Sequence, residues 1–307
     1  MPSRSADFGD FGPSDVTAAS IDPVIGPGRS RRPDGRPLRY RDLSLVFDRY
    51  ARGTPVAYSW FRAAECHALA AVDCRRPLLD LGCGTGEFAA FALERGADGR
   101  VVDAGIDLSE CRLRRARERA AHALLARADA AALPFANGSF SSVLAVSVCE
   151  HLGDPAAVLA EVRRVLRPGG KFIATIVLAD IHRYLFYPRA CERLGMPWLA
   201  RLYRRLHDHV FGHKTLRPEE EWRALLRVSG FRIIVARKIV SPTLTLWFDF
   251  WLITAWPYKL IQWTGARPFE WRPFWLRRLC WNRFRAIDAE RGTAGSAVLV
   301  VAEKSQE

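Results

Sequence analysis

The spacing of apolar and polar positions changes repeatedly along the chain, and these changes predict strands and helices in alternation. Short runs dominated by apolar residues predict buried strands at 77–81, 101–106, 142–148, 171–178, 231–240 and 296–303. Apolar residues at helical spacing predict helices at 87–94, 109–125, 155–168 and 218–229. Elements of these lengths in alternation predict an α/β domain with a mostly parallel sheet that is covered on both faces.

The first 37 residues differ in composition from the rest of the chain. Residues 1–37 are rich in Gly, Pro, Ser, Asp and Arg and show little periodicity, which predicts a disordered tail. A helical pattern covers 39–71, and the alternating elements follow it. We therefore expect one domain over 38–304, with two long insertions at about 181–216 and 241–295.

Targeting and cysteine patterns narrow the cellular setting. The first residues contain no apolar stretch after a basic start, so the sequence predicts no secretory signal. No apolar window is long enough and free enough of charge to predict a membrane-spanning helix. Seven scattered cysteines without a CxxC pair predict neither a zinc site nor a disulfide framework. These features favour a reducing, cytoplasmic setting.

The strongest chemical signal is a glycine-rich turn, GCGTG at 82–86, which follows the first strand and opens a helix. Glycines at such a turn allow tight backbone geometry and let a ligand approach the amide N–H groups. Position 87 is Glu, so the third glycine of the dehydrogenase motif GxGxxG is missing. By itself, a turn of this kind has many structural explanations.

Acidic residues end the next two predicted strands. Asp107 lies 21 residues after Gly86, where a carboxylate can accept hydrogen bonds from two ribose hydroxyls. Asp129 ends a presumed third strand, which lies between the helix predicted at 109–125 and the strand predicted at 142–148; an acid there can accept a hydrogen bond from an exocyclic amine such as that of adenine. Open α/β sheets bind ligands at the carboxyl ends of their strands, so these positions predict one shared ligand site.

Five motifs in order make the chain resemble the class I S-adenosylmethionine-dependent methyltransferases, in particular their small-molecule and lipid group. They are LLDLGCGTGEF at 78–88, GIDLS at 105–109, ADAAALPFANGSF at 128–140, CEHLGDPAAVLAEVRRVLRPGG at 149–170 and GF at 230–231. The resemblance covers residues 75–178 well and the C-terminal strands loosely. It implies S-adenosylmethionine as cofactor and a Rossmann-like, doubly wound sheet of seven strands, mostly parallel, with helical lid insertions. The last strand would be antiparallel and inserted between strands five and six.

The resemblance also implies roles for individual residues. The methionine part of the cofactor would be held by Asp80, Gly82, Cys83, Gly84 and Gly86. The remaining implied contacts are Asp107 and Leu108 at the ribose, Asp129 and the Ala130 backbone at the adenine, and Ser147 beside the sulfonium.

Two departures from the family pattern bear on the substrate. Ser141 and Ser142 stand where the family commonly has an acid after the Phe of GSF, a position at a strand start and away from the cofactor. The N/D-P-P-Y/F signature of enzymes that methylate nucleobase or amide nitrogens is missing, since 147–150 reads SVCE. The second departure disfavours a nucleic-acid substrate.

Histidines are the candidate bases. His151 ends the fourth strand region, close to where a methyl acceptor must lie, and a base there can deprotonate a hydroxyl; a structural role is the alternative. His209 and His213 are further candidates, in a lid that contacts the substrate. Together with His207 and Asp208 they resemble a metal cluster, but their segment has no clear period and their geometry is unspecified. The sequence therefore predicts no metal site.

The net charge of +13 is concentrated in two windows, 181–217 and 256–285, which carry +6 each. Seven of the ten tryptophans lie between Trp247 and Trp281, so the second insertion is both aromatic and basic. Aromatic residues with Lys or Arg are typical of segments that lie on a membrane. A cap packed on the sheet and a base-stacking surface are the alternatives for 241–295.

The sequence thus predicts a methyltransferase that acts on a hydrophobic small-molecule or lipid-like acceptor. Its predicted setting is the cytoplasm or the inner face of a membrane, with 241–295 against an anionic surface. An RNA methyltransferase that uses the basic insertions, and a non-catalytic cofactor-binding adaptor, stay open as alternatives. The missing nucleobase signature makes nucleic acid the less favoured partner, and neither the acceptor nor the oligomeric state can be read from these residues.

Overall fold

A computed structural model describes residues 41–94, 101–252, 274–288 and 292–305. The tail predicted at 1–37 lies outside these described residues, as do residues 253–273 of the second insertion. All described residues belong to one compact unit, Gly35–Glu307. Within the described ranges, no helix combines the length and the apolar character that crossing a membrane requires.

Seven strands form one sheet in the order β3-β2-β1-β4-β5-β7-β6. Their bounds are β1 Leu78–Leu81, β2 Val102–Asp107, β3 His122–Arg127, β4 Phe140–Val146, β5 Leu166–Val177, β6 Phe231–Val240 and β7 Ala297–Lys304. Strands β1 to β5 pair in parallel, whereas β7 lies between β5 and β6 and runs antiparallel to both. The predicted fold class and the position of the last strand are confirmed.

Helices cover both faces of this sheet. Their bounds are α1 Leu43–Gly53, α2 Val56–Leu69, α3 Glu87–Ala92, α4 Glu110–Arg119, α5 Pro155–Val165, α6 Ile181–Tyr184, α7 Phe186–Arg193, α8 Pro197–Phe211, α9 Glu219–Val228, α10 Pro242–Leu252 and α11 Phe274–Asp288. Successive side chains of a strand point to opposite faces. Leu79 and Leu81 accordingly pack with α5 and α9, while Leu78 packs with α2 and α3.

Three helical predictions differ from the structure, and one of them is the helix predicted at 155–168, which ends at Val165 because strand β5 begins at Leu166. The helix predicted at 109–125 ends at Arg119, because Ala120 takes a left-handed conformation with φ of 49°. Residues 122–127 favour a helix by composition, but parallel pairing with β2 makes them strand β3. The helical pattern at 39–71 is two helices, α1 and α2, which are separated by Thr54 and Pro55.

The two insertions pack against each other. The first forms α6, α7 and α8, and the second begins with α10 and ends with α11. Asp249 on α10 is buried and accepts hydrogen bonds from the Tyr203 hydroxyl on α8 and the Tyr187 N–H on α7. Trp247 and Trp281 pack with residues of α1 and α2. The described parts of the second insertion therefore contact the protein's own core as well as the first insertion.

Candidate active site

The glycine turn between β1 and α3 has a backbone conformation that side chains rarely adopt. Gly82, Gly84 and Gly86 have φ angles of 67°, 54° and 72°. A Cβ at Gly82 would lie 2.8 Å from the side chain of Val148, whereas a Cβ at Gly84 would meet no described atom within 4 Å. The turn is thus closed at Gly82 and open at Gly84, where a ligand can approach the backbone.

Asp107, at the end of β2, lies against this turn. Its Oδ2 accepts the N–H of Gly84 at 3.0 Å, and its Oδ1 accepts the N–H of Ser109 at 2.8 Å. Each carboxylate oxygen has a further lone pair, so Asp107 can also accept hydrogen bonds from two neighbouring hydroxyls. Leu108 follows directly and is 59% exposed.

Asp80 and Cys83 are buried at the same turn. The Oδ2 atom of Asp80 lies 2.9 Å from Nε2 of His122 on β3. Burial raises the pKa of the Cys83 thiol, and the nearby Asp80 adds to the rise, so this cysteine is a protonated packing residue at neutral pH. The pairing with His122 gives Asp80 a supporting position, and its contact with the methionine part of a cofactor stays a prediction.

Asp129 and Ala130 follow β3 at the same edge of the sheet. Asp129 is exposed, and its Oδ1 accepts the N–H of Ala131 at 2.9 Å, which makes a tight local turn. Asp107 and Arg127 are register partners on β2 and β3, so Asp129 comes two residues after the partner of Asp107. The structure brings the two acids to one edge, while their roles at ribose and adenine stay predictions.

Ser147, directly after β4, meets a buried carboxylate that the sequence analysis missed. Ser147 has a left-handed φ of 52°, which non-glycine residues adopt mainly at constrained sites. Its Oγ and the Oγ1 of Thr175 each donate a hydrogen bond of 2.6 Å to Oε1 of Glu65. Arg62 donates to the other carboxylate oxygen of Glu65 at 2.7 Å. Helix α2 is therefore fixed to the carboxyl ends of β4 and β5.

The signal that could have indicated this contact is the composition of α2. Arg62 and Glu65 are the only acidic or basic residues, apart from a histidine, in the helix VAYSWFRAAECHAL. A pair spaced by three residues lies on one helix face, and a charged pair among apolar residues predicts a buried partner.

Glu150 and His151 belong to a short 3-10 turn, Cys149–His151, that follows β4. Burial raises the pKa of Glu150 to about 8, so its carboxyl group is mostly protonated at neutral pH. Burial lowers the pKa of His151, although a hydrogen bond to the backbone of Gly212 opposes this effect. Nδ1 of His151 lies 2.9 Å from the Gly212 carbonyl oxygen, so Nδ1 carries the proton and Nε2 keeps the lone pair in the neutral ring. His151 can therefore accept a proton at Nε2.

The other candidate histidines have different environments. His213 follows α8, and its ring stacks on that of His151 with 5.8 Å between centroids. Its Nδ1 lies 3.1 Å from Oδ1 of Asp208. His209 is exposed on α8, whereas His207 on the same helix is buried. The structure brings His213 to His151 and leaves His209 apart from them, and a role of either in catalysis stays a prediction.

Four aromatic residues from three helices form a cluster next to these histidines, which we call the aromatic cluster. Its members are Tyr58 and Phe61 of α2, Phe211 of α8 and Phe248 of α10. Ring centroids within the cluster lie 5.7–6.1 Å apart, and Phe211 is 5.7 Å from the ring of His213. Ring contacts therefore connect His151, through His213, to apolar groups of both insertions.

A cavity of about 740 Å³ lies elsewhere, beside the edge strand β6. Its lining includes His67 of α2, Lys238 of β6 and Asp288 of α11. Strand β6 is at the opposite side of the sheet from β2 and β3. This cavity is therefore distinct from the site at the carboxyl ends of β2 and β3, where Asp107 and Asp129 lie.

Known sequences resemble this chain over the same region. Residues 79–174 match the family model described as a methyltransferase domain. The chain is 32% identical to the demethylmenaquinone methyltransferase of Deinococcus radiodurans over 209 aligned residues, and this alignment covers 64% of this chain and 79% of that protein. It is 30% identical to the ubiquinone biosynthesis O-methyltransferase of Acinetobacter baylyi over 152 aligned residues, and this alignment covers 47% of this chain and 59% of that protein. Several curated relatives are matched over only 34% to 59% of their own length.

A solved structure has the same fold. A crystal structure of an S-adenosylmethionine-dependent methyltransferase from Thermotoga maritima superposes with a TM-score of 0.51 at 21% identity, and the match covers 86% of this chain and 100% of that one. The sheet order, the glycine turn and this likeness define a class I methyltransferase fold. The chain belongs to the S-adenosylmethionine-dependent methyltransferase family.

The residues present fit the cofactor of this family. The backbone at Gly84 is open to a ligand, and Asp107 beside it has lone pairs for ribose hydroxyls. A Cβ at Gly86 would approach Ala116 to 3.2 Å, so the turn has little room for any side chain there. The turn and Asp107 would therefore hold S-adenosylmethionine.

Proposed function

We propose that this protein transfers the methyl group of S-adenosylmethionine to a hydroxyl oxygen of a hydrophobic small molecule. The observation that carries the proposal is the placement of His151 between the cofactor edge of the sheet and the aromatic cluster. His151 follows β4, and ring contacts of 5.8 Å and 5.7 Å lead from it through His213 to Phe211. An apolar acceptor can pack on such rings while a polar group reaches the histidine.

The chemistry asked of the chain's own residues is positioning and proton transfer. Bound S-adenosylmethionine supplies an electrophilic methyl group on sulfur. Nε2 of His151 has the lone pair that can take the proton of an acceptor hydroxyl as its oxygen bonds to the methyl carbon. The transfer would release S-adenosylhomocysteine and the methyl ether, with the hydroxyl proton held at Nε2 of His151. The contact of Glu65 with Ser147 fixes helix α2 beside this edge, where the helix would help to cover the bound reactants.

The named relatives support an apolar acceptor. One is a ubiquinone biosynthesis O-methyltransferase, and another is a demethylmenaquinone methyltransferase. We therefore infer an acceptor of the class of hydroxylated rings with an apolar tail. The sequence alternatives, an RNA substrate or a non-catalytic adaptor, predict a different distribution of transferred label.

Labelled cofactor tests this proposal. The full chain is incubated with methyl-labelled S-adenosylmethionine and, in separate reactions, with a prenylated phenol, a total lipid extract and total RNA. We expect label in the phenol or in the lipid fraction, with loss of label in His151→Ala and full labelling in the control Glu220→Gln, whose side chain is exposed on α9. Label in RNA alone, or cofactor binding with no transfer to any fraction, would contradict the proposal.

A second proposed property is contact with an anionic membrane surface, and α8 supports it. Four apolar side chains spaced by four residues form an exposed row on this helix: Trp198, Leu202, Leu206 and Val210, which are 60%, 54%, 46% and 39% exposed. The exposed residues Arg201 and Arg205 lie beside this row. A helix with an exposed aromatic and apolar row beside arginines is typical of helices that lie in a lipid interface.

The second insertion supports the same property only in part. Trp251 of α10 and Trp275 of α11 are 38% and 66% exposed, whereas Trp247 and Trp281 are partly buried and pack against the core. Of the seven basic residues at 256–285, three lie outside the described residues, and the other four, Arg277, Arg278, Arg283 and Arg285, lie on α11. We therefore assign the proposed lipid contact to α8 first and to 241–295 second.

A further inference from the structure

A group of metal-ligating side chains lies in the first insertion. His182 comes from α6, and His207 and Asp208 come from α8. One ligand atom from each of these residues lies within 4.8 Å of the other two. His207, Asp208, His209 and His213 are neighbours in the sequence, but in the structure His182, which is 25 residues before His207, takes the place of His209 beside His207 and Asp208.

His207 is the member whose environment most needs explanation. Its side chain is 1% exposed, and neither ring nitrogen has a hydrogen-bond partner in the part of the chain that the structure describes. Nδ1 lies 3.7 Å from Oδ1 of Asp208, which is too far for a hydrogen bond. Burying an imidazole without a partner is costly, and buried polar atoms are nearly always satisfied. A bound cation would satisfy one of the two nitrogens.

The geometry around Asp208 is compatible with a metal ion. Nε2 of His182 lies 2.9 Å from Oδ1 of Asp208, close to the separation of roughly 3.3 Å between two ligand atoms of a tetrahedral zinc ion. Nδ1 of His213 lies 3.1 Å from the same oxygen and can hold the carboxylate in place. The side chains of His182 and Asp208 are 27% and 28% exposed, which leaves a route for an ion and a place for a water ligand.

The chemical types of the three ligand side chains indicate which kind of metal ion they would bind. Two imidazoles and one carboxylate suit Zn²⁺ and its first-row neighbours, whereas Mg²⁺ and Ca²⁺ prefer oxygen ligands alone. We propose that His182, His207 and Asp208 bind a divalent transition-metal ion of the Zn²⁺ class, with His213 as a supporting group. The proposal is independent of the methyl acceptor.

Such an ion would join separate parts of the first insertion. It would link α6 to α8, and His213 belongs to the segment that follows α8. The N–H groups of Lys214 and Thr215, in that same segment, donate to the Glu150 carbonyl at 2.9 Å and 3.0 Å. The ion would therefore hold the insertion against the 3-10 turn that carries His151, in a structural role.

The test is metal binding by the full chain after chelator treatment and dialysis. We expect calorimetry to show one Zn²⁺ bound per chain and no comparable binding of Mg²⁺. Co²⁺ bound at the same site should give a visible absorption band that is typical of low-symmetry coordination. Zn²⁺ should also raise the melting temperature of the protein. His182→Ala and His207→Gln should weaken Zn²⁺ binding by about tenfold or more, while His209→Ala, on the exposed side of α8, should not.

Several results would overturn the proposal. The first is the lack of stoichiometric Zn²⁺ binding by the unmodified chain, which needs no variant to interpret. Another is equal weakening by His209→Ala and His182→Ala, which would assign the metal to exposed histidines. Because His182 is partly exposed, its variant keeps the test decisive if the His207 variant does not fold. Circular dichroism checks the fold of each variant.

Discussion

The Oγ of Ser147 donates a hydrogen bond of 2.6 Å to Oε1 of Glu65, which lies 82 residues earlier in the chain. Ser147 directly follows β4 in a left-handed conformation, and Glu65 is completely buried on α2. Thr175 on β5 donates to the same carboxylate oxygen, also at 2.6 Å. One carboxylate therefore joins an N-terminal helix to two neighbouring strand ends at the edge where the cofactor is expected.

Replacing Glu65 should destabilise the protein. Glu65→Ala removes the acceptor of two hydroxyl groups and leaves Arg62, which is 29% exposed, without its partner. Removing one member of a buried ion pair typically costs about 3–5 kcal/mol, and the partial exposure of Arg62 favours the lower end of this range. Urea unfolding followed by circular dichroism measures the change.

The matched control for that substitution is Glu220→Ala, because Glu220 is exposed on α9. A surface substitution of this kind should change the free energy of unfolding by less than about 0.5 kcal/mol. Equal effects of the two substitutions would mean that the contact of Glu65 with Ser147 contributes nothing specific to stability.

The pH dependence of methyl transfer should report on His151. Burial lowers the pKa of this imidazole below its usual value of 6.5, so the neutral, proton-accepting form predominates at and above neutral pH. The value of kcat/KM should therefore rise as pH increases through the acidic range and stay level between pH 7 and 8. His151→Ala should lower kcat by about 10²- to 10⁴-fold. A rate that instead increases through pH 8 would point to Glu150, whose pKa is about 8.

Glu150 should make the stability of the protein depend on pH. Burial raises the pKa of this carboxyl from 4.5 in the unfolded chain to about 8 in the folded one. The folded state therefore binds more protons between these values, and this contribution to stability decreases as pH rises from 4.5 to 8. His151, with its lowered pKa, has the opposite effect near pH 6.5.

A substitution separates the two groups. Glu150→Gln resembles the protonated carboxyl at every pH, so its stability relative to the unmodified protein should increase between pH 6 and pH 8. Denaturant unfolding at both pH values gives this difference directly. A difference that is the same at pH 6 and pH 8 would show that Glu150 is ionised in the folded protein at both.

The exposed row of α8 should determine binding to lipid. The full chain should sediment with vesicles of anionic phospholipid, less so at high salt, because salt screens the attraction of Arg201 and Arg205. Trp198→Glu should reduce sedimentation several-fold, whereas Glu220→Gln should not. Sedimentation that is unaffected by Trp198→Glu would move the lipid contact away from α8, and no sedimentation at low salt would contradict a membrane role.

Much of the fold could be predicted because its signals are local. The glycine turn at 82–86 and the acid at 107 are separated by one helix and one strand, and the order of such units is restricted in parallel sheets. A third strand before Asp129 was expected, but its first residues, 122–125, were assigned to the preceding helix because Ala and Leu favour a helix, and only pairing with β2 makes these residues extended. The helix and strand propensities of a segment do not indicate which strand will pair with it.

The site was predictable on the cofactor side and much less so on the acceptor side. The Gly84 turn and Asp107 are in direct contact, as their spacing suggests. Glu65 contacts Ser147 and Thr175 across 82 and 110 residues, and His182 reaches Asp208 from a separate helix. Such contacts depend on how helices pack on the finished sheet, which no spacing within one segment determines.

Binding of S-adenosylmethionine is the central requirement of this account, and titration calorimetry measures it directly. The unmodified chain should bind one molecule of cofactor, and Asp107→Ala should weaken binding by about 100-fold or more, because two charge-assisted hydrogen bonds to ribose and the support of the Gly84 amide are lost. Glu220→Gln should bind like the unmodified chain. If the unmodified chain binds no cofactor, or if Asp107→Ala binds it equally well, the assignment of this edge as the cofactor site is contradicted.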